Sequence, residues 1–146
     1  SSLFRPSERQ TTVKCLDQMV INCLDLRKAA KLYRESSDIG QSIIYALSAR
    51  LRWSNHLTQI LQTFSAFERV AAILLYLSER FGIETELGID IDVALTQEDL
   101  AALAGITRQF VSITLHDLEE DKIIRLRRQA IMITNIKRLI KIVPSI

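Results

Sequence analysis

From residue 37 to residue 64 the apolar positions recur at alternating intervals of four and three. Ile43 and Leu47 come first, Arg50 and Ser54 follow in the same register, and Leu57, Leu61 and Phe64 complete the stripe. A spacing of about 3.5 residues per turn favours packing one helix along another over a long axis. With no Pro in the stretch and one Gly near its start, it predicts a single long helix. The stripe suits a parallel or crossed dimer, and equally an amphipathic helix lying on its own domain. Arg50 and Ser54, with Asn55 beside them, interrupt it midway. Polar groups facing such an axis cost free energy unless they find partners, so they either mark an effector pocket or set the register.

Beyond this helix the pattern changes element by element. Phe67, Val70, Ala71, Leu74, Leu75 and Leu77 predict a core helix over Ala66–Phe81, ended by Gly82. Ile89, Ile91, Val93 and Leu95 alternate with Asp90, Asp92 and Ala94, which predicts a half-buried strand. Thr96 with Asp99 three residues later matches a capping box, Leu100, Leu103 and Ala104 then form one apolar face, and Gly105 ends the short helix. Thr107 caps a further helix whose buried stripe is Val111, Leu115 and Leu118, leaving Arg108, Gln109, Ser112, Ile113 and His116 outward. The apolar-rich runs Ile123–Leu126 and Ala130–Ile133 are joined by Arg127, Arg128 and Gln129, a hairpin with a basic tip.

Two short helices can meet closely and steeply only with a small residue in the first and a permissive backbone at the turn, and Ala101 and Gly105 supply them. The frame from Thr96 to Ile133 therefore reads as a winged helix-turn-helix. Early residues of the second helix in such a motif meet base edges, while neighbouring elements hold phosphates. Arg108 can grip guanine through O6 and N7, and Gln109 can do the same for adenine through N6 and N7. Ser112 and Ile113 complete the candidate base-reading set. Thr96, Thr107, His116, Arg125, Arg127 and Arg128 are the candidate phosphate contacts.

The front of the chain is less complete. Thr11–Leu16 and Met19–Leu24 are predicted strands, and Leu26–Tyr33 a short helix. Two strands do not close a core, so residues 1–36 read as the end of a larger β-structure or as a piece leaning on a partner. The chain starts at Ser1 without Met, and is expected to be truncated. The expected fold class is mainly α with small β elements: residues 37–64 a dimerisation helix, 65–146 a winged helix-turn-helix domain.

Charge sharpens this picture. The net charge of +2 conceals an asymmetry: from Lys122 onward there are seven Lys or Arg and no acid, whereas residues 1–121 hold twelve bases and all seventeen acids. A +7 tail behind a −5 body points to a polyanion near the C-terminus. The acidic run Asp117–Asp121 sits at the far end of the second motif helix and should point away from the groove. At 146 residues the chain holds one good-sized domain or two small ones. No apolar run approaches the ~20 residues of a membrane span, and no signal peptide opens the chain, which predicts a soluble cytoplasmic protein. Cys15 and Cys23 lack metal-site spacing and read as small buried hydrophobes, and no metal is expected. His56 and His116 sit in no recognisable nucleophile, metal or phosphate motif, so an enzyme has no support.

The order of parts resembles the Crp/Fnr superfamily of bacterial transcription regulators. The resemblance rests on ERVAAILLYLSERFG, GIDIDVALT and above all LTQEDLAALAGITRQFVSITLHDLEEDKII followed by a basic hairpin, and it covers nearly the whole chain. It implies a homodimer joined by the seam Ile43, Leu47, Leu57, Leu61 and Phe64, bound to a palindromic double-stranded site, working with RNA polymerase at the nucleoid. It also implies a small-molecule effector rather than a required cofactor. SERQTTVKCL resembles the end of the family's effector cassette, with Arg9 at its phosphate-contacting arginine. Ser54 and Asn55 match effector-facing positions of cyclic-nucleotide-dependent members, while Arg50 matches a carboxylate-binding position of the nitrogen-control branch, which takes a 2-oxo acid. Thr107 and Arg108 follow the family pattern. Gln109 replaces a common glutamate and Ile113 a common arginine, which implies an altered target site in which an isoleucine touches a thymine methyl. The competing reading is a winged helix used for protein assembly without DNA.

Overall fold

In the computed structural model the described residues are 36–127 and 130–144, together with 18, 20–22, 25, 28, 29, 31 and 32. The seam becomes one helix, α1, spanning Ser37–Thr63. The chain divides into two compact units, Ser1–His56 and Leu57–Ile146, with the division falling inside α1.

In the first unit, Ile44, Leu47 and Leu51 follow one another at helical spacing and remain 61%, 50% and 62% exposed. Ile43 is half-buried. Ahead of α1, Lys28, Ala29, Lys31 and Leu32 are helical, as the sequence predicts. Val20, Ile21 and Asn22, expected in a strand, belong to none and are exposed. A strand is held by its neighbours' ladder. The predicted neighbour Thr11–Leu16 lies outside the described residues, as do Arg9, Cys15 and Cys23.

The second unit begins with the end of α1. Ile60 and Phe64 are buried with Ala72, and Val143 packs against them. Phe64, expected on a dimer seam, thus has its partners within its own domain. The next helix, α2 over Ala66–Phe81, opens on a capping box that the spacing of Ser65 and Glu68 allows: the Glu68 N–H donates to Ser65 Oγ at 3.4 Å, and the Ser65 N–H to Glu68 Oε2 at 2.7 Å. The Ser65 hydroxyl, and then its backbone N–H, hold the Glu68 carboxyl below the usual carboxylate range.

A four-stranded antiparallel sheet follows, β1 (Gly82–Thr85), β2 (Gly88–Ile91), β3 (Ile124–Arg127) and β4 (Ala130–Ile133), in the order β1-β2-β4-β3. Its register sets Ile89 opposite Ile133, and Ile133 opposite Ile124, so one face is isoleucine-rich and joins the core. β1 was not predicted. The strand expected to reach Leu95 stops at Ile91, because the Val93 and Leu95 amides turn to the Ile91 and Val93 carbonyls instead of a neighbouring strand. Val93 and Leu95 still pack on the core.

Helix α3 (Gln97–Ala104) and helix α4 (Arg108–Glu120) have the bounds that their caps predict. Ala101 and Ala104 of α3, with Val111, Leu115 and Leu118 of α4, are buried in one cluster with Val70, Leu74 and Leu77 of α2. A final helix, α5 (Ile136–Ile142), capped by Asn135, inserts Leu139 into this cluster. The basic tail read from the sequence is in part this helix.

Candidate nucleic-acid interface

The turn between α3 and α4 rests on Gly105, whose φ of 62° lies in the left-handed region. A side chain there would be strained by its own backbone. Thr96 starts α3 with both arms of a capping box, and its hydroxyl also donates to Asp99 Oδ2 at 2.6 Å. That proton is already committed, which makes Thr96 a cap first and a phosphate donor only by exchange. Thr107 caps α4 by accepting from the Phe110 N–H at 3.2 Å, which leaves its hydroxyl hydrogen for another acceptor.

The helix α4 is two-faced. Val111, Thr114, Leu115 and Leu118 are buried, whereas Arg108, Gln109, Ser112, Ile113 and His116 are exposed. All four predicted base-reading residues therefore share the outer side of the first two turns. Arg108 has no hydrogen-bond or ion-pair partner among the described residues, so its guanidinium fork is open. His116 Nε2 lies 3.4 Å from Glu120 Oε1, one turn further along. Phe110 was not singled out from the sequence, yet it is 39% exposed beside Ile113 at 53%.

The C-terminal end of α4 is fastened to what surrounds it. At its C-terminus Lys122 takes a φ of 57°, while the Ile123 amide bonds back to the Leu118 carbonyl at 2.9 Å. Arg138 of α5 donates to the Asp121 carbonyl and lies 3.5 Å from its carboxylate. This places a cation at the negative end of the helix dipole. Glu119 Oε1 accepts from the Leu126 N–H at 2.7 Å, fastening strand β3 to α4. Glu119 and Asp121 of the acidic run are thus occupied in holding the motif together.

The basic residues divide accordingly. Arg138 is an internal fastener. Arg127, expected at the hairpin tip, lies in β3 with Nη1 3.5 Å from Asp90 Oδ2 and Nη2 donating to the Met132 sulfur at 3.6 Å. Asp90 Oδ1 is buried without a partner among the described residues. The Arg125 side chain is exposed, has no partner among the described residues, and stands as an open cation of the wing. Arg128 and Gln129 lie outside the described residues.

Arg69 links the motif to the end of α1. Its Nε donates to the Phe64 carbonyl at 3.0 Å and its Nη1 to the Ala104 carbonyl at 3.5 Å. One side chain thereby satisfies carbonyls that two helix ends leave open. In the first unit the effector candidates Arg50, Ser54 and Asn55 are exposed along α1, Arg50 and Ser54 on one face. The Trp53 and His56 rings meet tilted at 45°, with 6.0 Å between their centroids. Among the described residues no helix is long and apolar enough to cross a membrane.

A family model for the Crp-like helix-turn-helix domain matches residues 68–142. A CRP-like cAMP-activated global transcriptional regulator of Mycobacterium tuberculosis is 28% identical over 138 residues, which cover 94% of this chain and 62% of that protein. A global nitrogen regulator of Synechococcus elongatus is 30% identical over 101 residues, covering 69% of this chain and 46% of that protein. The chain thus spans between 46% and 62% of the length of these two curated relatives. Among solved structures, FixK2 from Bradyrhizobium japonicum matches 84% of this chain and 61% of its own, with a TM-score of 0.75 at 19% identity. A CRP/FNR-family transcriptional regulator from Thermus thermophilus matches 75% of this chain and 56% of its own, with a TM-score of 0.64 at 26% identity.

Proposed function

The chain belongs to the Crp/Fnr superfamily through its Crp-like helix-turn-helix domain, and on that premise we propose that it acts as a DNA-binding transcription regulator. One observation carries the reading: a capped helix buries Val111, Leu115 and Leu118 and turns Arg108, Gln109, Ser112 and Ile113 outward from its first two turns. That end of a recognition helix is the one that enters the major groove. Arg108 reads a guanine and Gln109 an adenine, with Thr107 and Arg125 on phosphates.

The regulator works as a homodimer. Ile44, Leu47 and Leu51 are the apolar face that α1 offers a second copy, and two α4 helices then reach successive major grooves about 34 Å apart. Residues 1–36 are assigned to effector sensing. The effector is a small molecule such as a cyclic nucleotide or a 2-oxo acid, with Arg50, Ser54 and Asn55 on its side of the long helix. RNA polymerase is the partner at the promoter, and the protein acts in the cytoplasm at the nucleoid.

Selection of bound duplexes from a random pool by the full chain tests the proposal. The expected result is a palindrome whose half-sites lie about 10 base pairs apart, one helical turn. Recovery of no common sequence at low salt would overturn it, and would favour the protein-assembly reading.

A further inference from the structure

The outer side of α4 carries two large apolar side chains that a solvated surface gives no reason for. Phe110 is 39% exposed and Ile113 53% exposed, and they stand three residues apart, so they are neighbours on the helix surface. Phe110 borders the buried face, one turn before buried Thr114, and Ile113 stands between it and Gln109 on the outer side. Phe110 is also anchored in the first turn, since its N–H makes the Thr107 cap. An apolar pair at the mouth of a recognition helix matches one feature of the major groove, the thymine C5-methyl group.

Resting on the DNA-reading function above, we infer that Phe110 and Ile113 are a methyl-reading pair, and that each half-site carries thymines at two nearby positions facing them. Three residues advance about 4.5 Å along a helix axis, a little more than the 3.4 Å between successive bases. Phe110 and Ile113 therefore address adjacent or next-but-one base pairs. Arg108 and Gln109 supply hydrogen bonds on the flanking pairs, so the site combines a polar reading with an apolar one. Arg108, exposed in the first turn of the same helix and without a side-chain partner among the described residues, favours a duplex rather than an apolar protein surface on this face.

Deoxyuridine in place of thymidine removes only the C5-methyl and leaves the protein and every hydrogen-bonding edge intact. In the selected duplex, each half-site thymine is replaced in turn and affinity for the full chain is measured. We expect two positions per half-site to lose about three- to fivefold each, the value of one methyl-sized group. That sensitivity should vanish at one position in Phe110→Ser and at another in Ile113→Ser. Equal affinity for thymidine and deoxyuridine at every position, with the Arg108→Ala variant still losing affinity, would overturn the methyl reading and leave DNA reading standing. If no duplex is bound selectively by the unaltered chain, both fall. If instead a protein is captured by the unaltered chain and lost by Phe110→Ser, with uridine duplexes bound normally, the face is a protein-docking surface and the inference is wrong.

Discussion

The two ends of helix α1 both carry large apolar residues and meet opposite fates. At the C-terminal end Ile60 and Phe64 are buried within their own domain with Ala72, and Arg69 closes the Phe64 carbonyl. Towards the N-terminal end Ile44, Leu47 and Leu51 stay open. A 3.5-residue period specifies that a helix packs along something, and nothing in the period says what. The difference follows from what surrounds each end: α2 and the C-terminal segment lie ready beside Phe64, whereas the open end is the surface we assign to a second copy.

The sharpest way to break this contrast is truncation at each end. Phe64→Ala should destabilise the winged-helix unit by about 3–5 kcal/mol, the range for large core aromatics, read by denaturant unfolding of the full chain. Leu47→Ala and Leu51→Ala should leave that unfolding nearly unchanged and weaken self-association in sedimentation. Equal loss of stability at both ends would mean that α1 packs within one chain throughout.

Arg69 is the next test, since it joins the end of α1 to the end of α3. Arg69→Ala should cost about 1–3 kcal/mol, with two carbonyls losing a charged donor, and should lower operator affinity without changing the preferred sequence. Gly105→Ala should cost roughly 1–2 kcal/mol for a left-handed φ, and near-zero cost would show that the turn relaxes. Lys122→Gly should stabilise by about 0.5 kcal/mol, since Lys122 holds a positive φ that Gly adopts freely.

The smallest effect is at Glu68. Its carboxyl is held below the usual range in the folded state by Ser65, so its stabilisation is complete above the ordinary glutamate value and is lost as pH falls through the lowered one. Glu68→Gln should flatten that acid limb of stability against pH, and an unchanged acid limb would show that the capping box contributes nothing to it.

What was legible in the sequence was what is local. Thr96 with Asp99, Gly105, and Thr107 before the Val111–Leu115–Leu118 stripe give α3 and α4 their bounds, because caps and periodicity act within a few residues. β1 went unread because Ile83 and Thr85 gain strand character only from β2. α5 went unread because its basic residues masked a single buried Leu139. The ion pairs of Arg127 and Arg138 are not local either: their partners Asp90 and Asp121 come from other elements. Charge counting finds cations, and only the fold separates those that fasten the domain, such as Arg138, from those left open, such as Arg108 and Arg125.

That separation is also the most direct test of the central claim, that α4 reads sequence through its outer face. Affinity of the full chain for its selected operator and for a scrambled duplex should be measured across a range of salt concentrations for Arg108→Ala and Arg125→Ala. The account predicts that Arg108→Ala loses about 1–3 kcal/mol on the operator and little on the scrambled duplex, so discrimination falls. Arg125→Ala should weaken both alike and reduce the salt slope by about one. Discrimination left intact by Arg108→Ala would contradict the claim.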